Sequence, residues 1–393
     1  MSRKQHALEN GRQERRDILT ELIMAYTLKD FTEDEGDEGD PTAVLDKFIQ
    51  TPYILDRIAL FIYDKRLSLT EFTQLFETKP VGFKNSRVYE AHQDETQLII
   101  GFELRKEPAK DLENSKRGKA FLRVDKNTAF ATLFTDYDRT NFQCIMRFFN
   151  KYYPFLSRIF FRSDEIRRLL EGVETSFGAK IVVTNYVLKR RYVRQETDNI
   201  WQDISYQRLF DRAAEDFLWV DSIDFEIEIE SESKEERVRG RVGIKRDGII
   251  RSRGITYKKI RALFLDEFLS RYNEVYKIIS KDRSISLTKL EPQPVKFIIS
   301  EEIFRSNTET QKLIELIHDG LRNWGYSVLY NEQGSMYLLL HDYVSGSCYE
   351  LLVVSTFEIV IIPKTQVTAL SFNELVSFLM RYYDGELKEW MAT

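Results

Sequence analysis

Between residues 223 and 253 apolar and charged positions alternate along two strands separated by a charged turn. The segment runs Ile-Asp-Phe-Glu-Ile-Glu-Ile-Glu, passes a charged turn, and returns as Arg-Val-Arg-Gly-Arg-Val-Gly-Ile-Lys-Arg-Asp-Gly-Ile-Ile-Arg-Ser-Arg. Successive side chains of a strand point to opposite faces, so Ile223, Phe225, Ile227 and Ile229 share one face and Asp224, Glu226, Glu228 and Glu230 the other. With 231–236 as the loop, Glu230 faces Arg237, Glu228 faces Arg239 and Glu226 faces Arg241. The same register sets Ile229 against Val238, Phe225 against Val242 and Ile223 against Ile244. A slip of one residue would place apolar groups opposite charges, which fixes the pairing. Arg246-Asp247-Gly248 suits a three-residue turn with glycine in the left-handed region, pairing Ile244 with Ile250 and Arg241 with Arg253.

Elsewhere the period predicts an α+β chain. Residues 1–86 read as a helical N-terminal region, with Ile18, Leu19, Leu22, Ile23 and Tyr26 on one stripe and further helices around Ala43 to Ile49, Tyr53 to Asp64 and Ser68 to Glu77. The turn at Lys65-Arg66-Leu67 fits a helix-turn-helix or an ordinary helical hairpin. The acidic stretch from Thr32 to Pro41 lacks the ligand spacing of a calcium loop and reads as solvated. From residue 87 the period becomes two. Strands are expected at Thr96 to Leu104, Ala120 to Val124 and Ala129 to Thr135, with a charged loop from Arg105 to Lys119 between the first two. A helix lined by Phe142, Ile145, Met146, Phe149 and Tyr152 follows, closed by Pro154.

This order of strand meander and amphipathic helix recurs. The charged hairpin leads into a helix with Ile260, Phe264, Phe268, Tyr272, Val275 and Ile279. Strands at Tyr349 to Val354 and Phe357 to Pro363 lead into one lined by Leu375, Val376, Leu379 and Tyr382, where Ser371 and Glu374 form a capping-box pattern. The spacings are roughly 120 and 115 residues, consistent either with duplication or with the usual way of covering one sheet face. A helix at Asp164 to Val173 precedes a strand at Lys180 to Leu188, and one at Glu309 to Trp324, closed by Gly325, precedes a strand at Tyr326 to Tyr330. Pro292 and Pro294 mark a boundary. The predicted layout is therefore a helical region 1–86 followed by two antiparallel β-meander plus helix domains, 87–287 and 295–393.

Composition narrows the class. Of 393 residues 42% are hydrophobic and 31% charged, as in a globular protein of two or three domains. A net charge of −5 excludes nucleic-acid binding by general basicity and leaves only a local patch. The polar start lacks the apolar core of a signal peptide, and no run approaches the roughly 18 apolar residues of a membrane span, so a cytoplasmic location without membrane contact is expected. Two cysteines, Cys144 and Cys348, suit a reducing compartment.

Candidate chemistry is sparse. From Arg237 to Arg261 ten basic residues stand against one acidic residue, Asp247. As a solvent-facing ladder, the Glu–Arg pairs would each contribute roughly 0.2–1 kcal/mol. As a phosphate-binding surface, the residues without an acidic neighbour in this register matter: Arg251, Arg253, Lys258, Lys259 and Arg261. A second cluster, Lys189, Arg190, Arg191 and Arg194 with Tyr192 and Val193 among them, could neutralise phosphates while stacking a base. A nuclease site of the restriction-endonuclease type would need two acids and a lysine around a divalent ion. Glu232-Ser233-Lys234 has the spacing but lies in a loop, and Asp342 with Glu350 lacks the lysine, since Leu352 occupies its place. The four histidines are scattered and form no zinc spacing, Ser345-Gly346-Ser347-Cys348 is not a nucleophile elbow, and no glycine-rich phosphate loop or cofactor motif occurs. The expectation is a non-catalytic subunit that contacts nucleic-acid phosphates and joins a protein partner or a second copy, with a metal-dependent nuclease or a pure protein scaffold as alternatives.

Overall fold

The computed structural model describes residues 56–93, 97–106, 116–135, 139–189, 204–230, 237–255, 257–281, 283, 293–300, 302–332, 335–364 and 367–390. Three successive units share one plan. The first runs β1 (Asp56–Tyr63), α1 (Leu69–Leu75), a meander of β2 (Arg87–Gln93), β3 (Gln97–Lys106), β4 (Lys116–Asp125) and β5 (Phe130–Thr135), then α2 (Arg139–Phe149). The second runs β6 (Leu156–Arg158), α3 (Ser163–Phe177), β7 (Lys180–Lys189), α4 (Tyr206–Glu215), β8 (Trp219–Glu230), β9 (Arg237–Lys245) and β10 (Ile249–Arg253). It ends in α5 (Tyr257–Ile260), a π-helical turn (Arg261–Leu265) and α6 (Asp266–Ile279). The third runs β11 (Val295–Ile298), α7 (Asn307–Gly320), β12 (Trp324–Glu332), β13 (Ser335–Asp342), β14 (Cys348–Ser355), β15 (Glu358–Pro363), α8 (Ala369–Tyr383) and β16 (Glu386–Glu389). The expected α+β architecture of antiparallel meanders followed by helices is thus present, with the meander–helix step made three times.

The first two meanders join through β1 into one sheet, in the order β2-β3-β4-β5-β1-β10-β9-β8-β7. One edge of β1 pairs with β5; on the other, Ile58 faces Ile250 of β10 and Ile62 faces Ser157 of β6. The third unit forms a separate sheet, β12-β13-β14-β15-β11-β16, which repeats the order of the first unit with its own leading strand. The charged hairpin folds in the register its sequence dictates, with Glu226 opposite Arg241, Phe225 opposite Val242 and Arg253 opposite Arg241. Gly248 closes the turn at φ +73°, where a β-carbon would lie 2.6 Å from the carbonyl oxygen of Ile159.

Several boundaries differ from those expected. Tyr53 to Asp64 is not a helix: residues 56–63 form β1, buried on both faces. Ile58, Leu60 and Ile62 enter one apolar cluster, and Ala59, Phe61 and Tyr63 the other. A strand covered on both sides reads as a continuous apolar run with no period to mark it. The turn after it therefore joins strand to helix, and no helix-turn-helix forms there; Asp64 accepts from the Arg66 amide at 3.0 Å and from its guanidinium at 2.6 Å. The expected helices within 1–55 and the acidic loop lie outside the described residues. Thr368, not Ser371, caps α8, accepting from the Ser371 amide at 3.1 Å. α7 stops at Gly320, and Trp324 and Gly325 already belong to β12. α4 and β2 had no expected counterpart.

The larger apolar cluster runs from Ile58 to Leu387, so the two sheets share one core. A buried polar joint crosses it. Arg246, from the hairpin turn, has no exposure to solvent, which removes it from any basic surface. Its Nε donates to the Phe161 carbonyl at 3.0 Å, and Nη2 donates to the Met380 carbonyl at 2.7 Å and to Asp384 Oδ1 at 2.5 Å. The guanidinium lies over Phe160 and Trp219, 4.9 and 5.3 Å from the ring centroids. Asp384 ends α8 in the left-handed region, φ +48°, and its Oδ1 also accepts from the Ser163 amide at 3.0 Å. Replacing Arg246 with Met should leave a buried carboxylate without its cation and lower stability by roughly 3–5 kcal/mol in urea denaturation.

Candidate nucleic-acid interface

The helices α3 and α4 and the π-turn segment pack on the apolar face of the second meander. Its other face carries the charges in rows. Asn185, Asp224, Gly243, Arg251 and Arg57 lie side by side across β7, β8, β9, β10 and β1. The next row is Val182, Glu226, Arg241 and Arg253, and beyond it come Lys180, Glu228 and Arg239. Counting Lys245 and the Glu230–Arg237 row on the same face, eight described bases (Arg57, Lys180, Arg237, Arg239, Arg241, Lys245, Arg251, Arg253) stand with four described acids (Asp224, Glu226, Glu228, Glu230).

One carboxylate serves two exposed arginines. Glu226 lies 2.6 Å from Arg241 and 3.5 Å from Arg239, whose side chains are 59% and 73% exposed. The hydrogen bonds from Arg241 hold the Glu226 carboxyl below its ordinary range. At the inner row, Arg251 forms an ion pair with Asp224, two strands away. Gly243 lies between them, and a β-carbon there would collide with both groups. Arg251 therefore has an acidic partner, contrary to the expectation from its adjacent strand, because the pair spans two strands. Burial pushes Lys245 below its usual pKa.

Of the basic residues marked in the sequence, Arg251 and Arg253 lie on this face. Lys189 pairs with Asp221 at 2.6 Å, beside Trp219 at the hairpin-turn end of the sheet. Arg190, Arg191 and Arg194 lie outside the described residues. Arg253 sits on the charged face. Lys258 and Lys259 belong to α5, and Arg261 to the π-turn, where it pairs with Asp266 at 3.1 Å. That segment buries Ile260 and Phe264 in the core over the opposite face of the sheet. Arg57 and Lys180, which the fold adds to this face, have no counterpart in the sequence reading of it. Arg57 stands in the segment taken for a helix, and Lys180 in a strand whose neighbours were not assigned.

Asp342 and Glu350 do not form a nuclease pair, since they lie on opposite faces of the small sheet. Asp342 is fully buried, and its Oδ2 accepts from Tyr153 and Ser345 at 2.5 Å each and from Ser371 at 2.8 Å. Burial, and then this carboxylate, push the Tyr153 hydroxyl up. Asp342 thereby fixes the 342–347 turn to α8 and to the segment that leads into β6. Glu350, on the other side, pairs with Lys364 at 2.7 Å. Glu232-Ser233-Lys234 lies outside the described residues. Among the described residues no three His, Cys, Asp or Glu side chains gather as metal ligands would.

A cleft of about 490 Å³ opens where the sheets meet, lined by Arg158, Asp247, Arg322, Trp324, Glu374 and Arg381, among others. Arg158 pairs with Asp247 at 3.0 Å. Asn373 donates to Ser157 Oγ at 2.7 Å and to the Arg158 carbonyl at 2.9 Å, which fixes α8 on β6. Ser157 in turn donates to Glu374 at 3.5 Å. Burial raises the Glu374 pKa, opposed by Arg381 and Arg158. No sequence signal links these groups, which come from three distant segments. A raised folded-state pKa means that ionising Glu374 costs more in the folded chain than in the unfolded one. Its effect is nil when both states are protonated and unfavourable above the raised value. Glu374→Gln should therefore be more stable than the parent at neutral pH, with the difference vanishing below about pH 4 in parallel thermal melts.

Compared with known proteins, the sequence matches no protein-family model and no curated protein.

Proposed function

We propose that this chain is a non-catalytic binding protein that contacts nucleic-acid phosphates through the open face of its second meander. The reading rests on one observation: among the described residues eight bases and four acids share that face, and two exposed arginines, Arg239 and Arg241, divide a single carboxylate. A guanidinium that shares its acceptor keeps donors for a phosphate oxygen, and a polyanion can replace the Glu226 contacts without stripping a buried charge. The acids embedded in the rows keep the face from being uniformly positive, which favours contact along a narrow track of phosphates over coating of any anionic surface. Readout of base sequence is not part of the proposal, because phosphate contacts position without specifying. The chemistry required is binding alone.

Gel shifts across a salt series test it. The parent chain should bind single- or double-stranded nucleic acid with affinity that falls steeply as salt rises. The Arg239→Glu/Arg241→Glu variant should bind at least about tenfold more weakly, with the log–log salt slope reduced by about 2. Unchanged affinity and slope in that variant, or no binding by the parent at low salt, would rule the reading out.

A further inference from the structure

The cleft between the sheets plays no part in the nucleic-acid reading, yet its charges are not balanced. At about 490 Å³ it has the size of a small-molecule pocket. Among the described residues three arginines line it, Arg158, Arg322 and Arg381, with two acids, Asp247 and Glu374. Arg158 is committed: its Nη2 donates to the Asp247 carbonyl at 2.6 Å and pairs with the carboxylate at 3.0 Å. Arg322 and Arg381 are exposed, and among the described residues neither side chain has a hydrogen bond or an ion pair. Both stand on backbone that is held in place. In the turn of Arg322 the Trp324 amide donates to the Leu321 carbonyl at 3.0 Å, and the Asn323 carbonyl accepts from the Tyr343 amide at 3.1 Å. Arg381 follows Met380, whose carbonyl accepts from Arg246, and its guanidinium lies 6.0 Å from the centre of the Phe160 ring.

We propose that this cleft binds a small phosphate monoester, with the phosphate held by Arg322 and Arg381 and a hydroxyl of the organic part against the Glu374 carboxyl. The charges select the ligand. Against its burial, Arg158 and Lys245 hold the Asp247 carboxyl below its ordinary pKa, whereas burial pushes Glu374 up. Three guanidiniums therefore face one carboxylate that favours its charge and one that resists it. The surplus is one positive charge with Glu374 ionised and two with it protonated, and a phosphate monoester carries about −1.5 to −2 at pH 7. A carboxylate needs only one guanidinium, while two without acceptors match a dianion with three acceptor oxygens. The room left beside these arginines calls for an organic part, which inorganic phosphate lacks. The site is separate from the open face of the second meander, and the proposal is independent of nucleic-acid binding.

Titration calorimetry of the full chain with ribose 5-phosphate tests it. The parent should bind with a Kd below about 1 mM, and ribose or inorganic phosphate at least about tenfold more weakly. Arg322→Ala/Arg381→Ala should lower the affinity for ribose 5-phosphate at least about tenfold, and each single variant at least about threefold. Both side chains are exposed, so the variants should melt like the parent; if the double variant does not, the single ones decide. Arg239→Glu/Arg241→Glu, on the open face, should bind ribose 5-phosphate as the parent does. No binding by the parent overturns the proposal, as does inorganic phosphate binding equally well. So does an affinity that the cleft variants preserve, or one that the open-face variant abolishes.

Discussion

Stripping a guanidinium of water costs several kcal/mol, and Arg246 meets that cost at a point where three segments must agree in position. Its own segment is the tight turn between β9 and β10, whose Gly248 carbonyl accepts from the Leu60 amide at 2.9 Å and whose Arg246 carbonyl accepts from the Phe161 amide at 2.6 Å. The turn is thereby fixed to β1 and to the entry of α3. Its side chain then reaches the last turn of α8, taking the Met380 carbonyl and Asp384. One end of α8 is fixed this way and the other by Asp342, which receives Ser371 from the helix and Tyr153 from the large half. The cleft lies between these two anchors. Its Arg158–Asp247 pair is the neighbour of Arg246 in the turn, so the shape of the cleft follows from how the turn is held.

The shared strand order of the first and third units has a packing reason. A four-stranded meander leaves its last strand with an open edge, and in both units the strand that precedes the meander returns to cover it, β1 beside β5 and β11 beside β15. The strand after the final helix then covers the leading strand. The second unit departs from this plan because β6 pairs with β1 instead of β10. The last strand of its meander closes on the free half of β1. One leading strand therefore serves two meanders, which is why both edges of β1 are paired and why the large sheet exceeds the small one.

What could be read from the sequence follows the same physics. The hairpin register was legible because a period of two coincided with alternating charge, so a slip carried an obvious penalty. β1 was not, since burial on both sides erased the period. The α8 cap was misplaced because Ser371 and Glu374 have capping-box spacing, yet Thr368 takes the cap and leaves the Ser371 hydroxyl to Asp342 and the Glu374 carboxyl to the cleft. The partner of Arg251 was hidden because it lies two strands away, reached only over a residue without a side chain. Asp342, the candidate catalytic acid of the nuclease alternative, is a buried acceptor whose donors come from residues as distant in sequence as Tyr153.

These relations also explain where the charge of the open face comes from. Within the hairpin itself Glu226 and Glu228 answer Arg241 and Arg239, so β8 and β9 alone come close to balance. The excess arises from the strands that the fold adds on either side: β10 and β1 bring Arg251, Arg253 and Arg57, and β7 brings Lys180, with no acid among the outward positions they contribute to these rows. Asp224 offsets one of these, reaching Arg251 across Gly243. A face that is nearly neutral as a hairpin becomes basic only as a sheet. Its excess of basic residues therefore belongs to the tertiary arrangement around β1, and depends on the same joint of Arg246 that holds the hairpin turn against that strand.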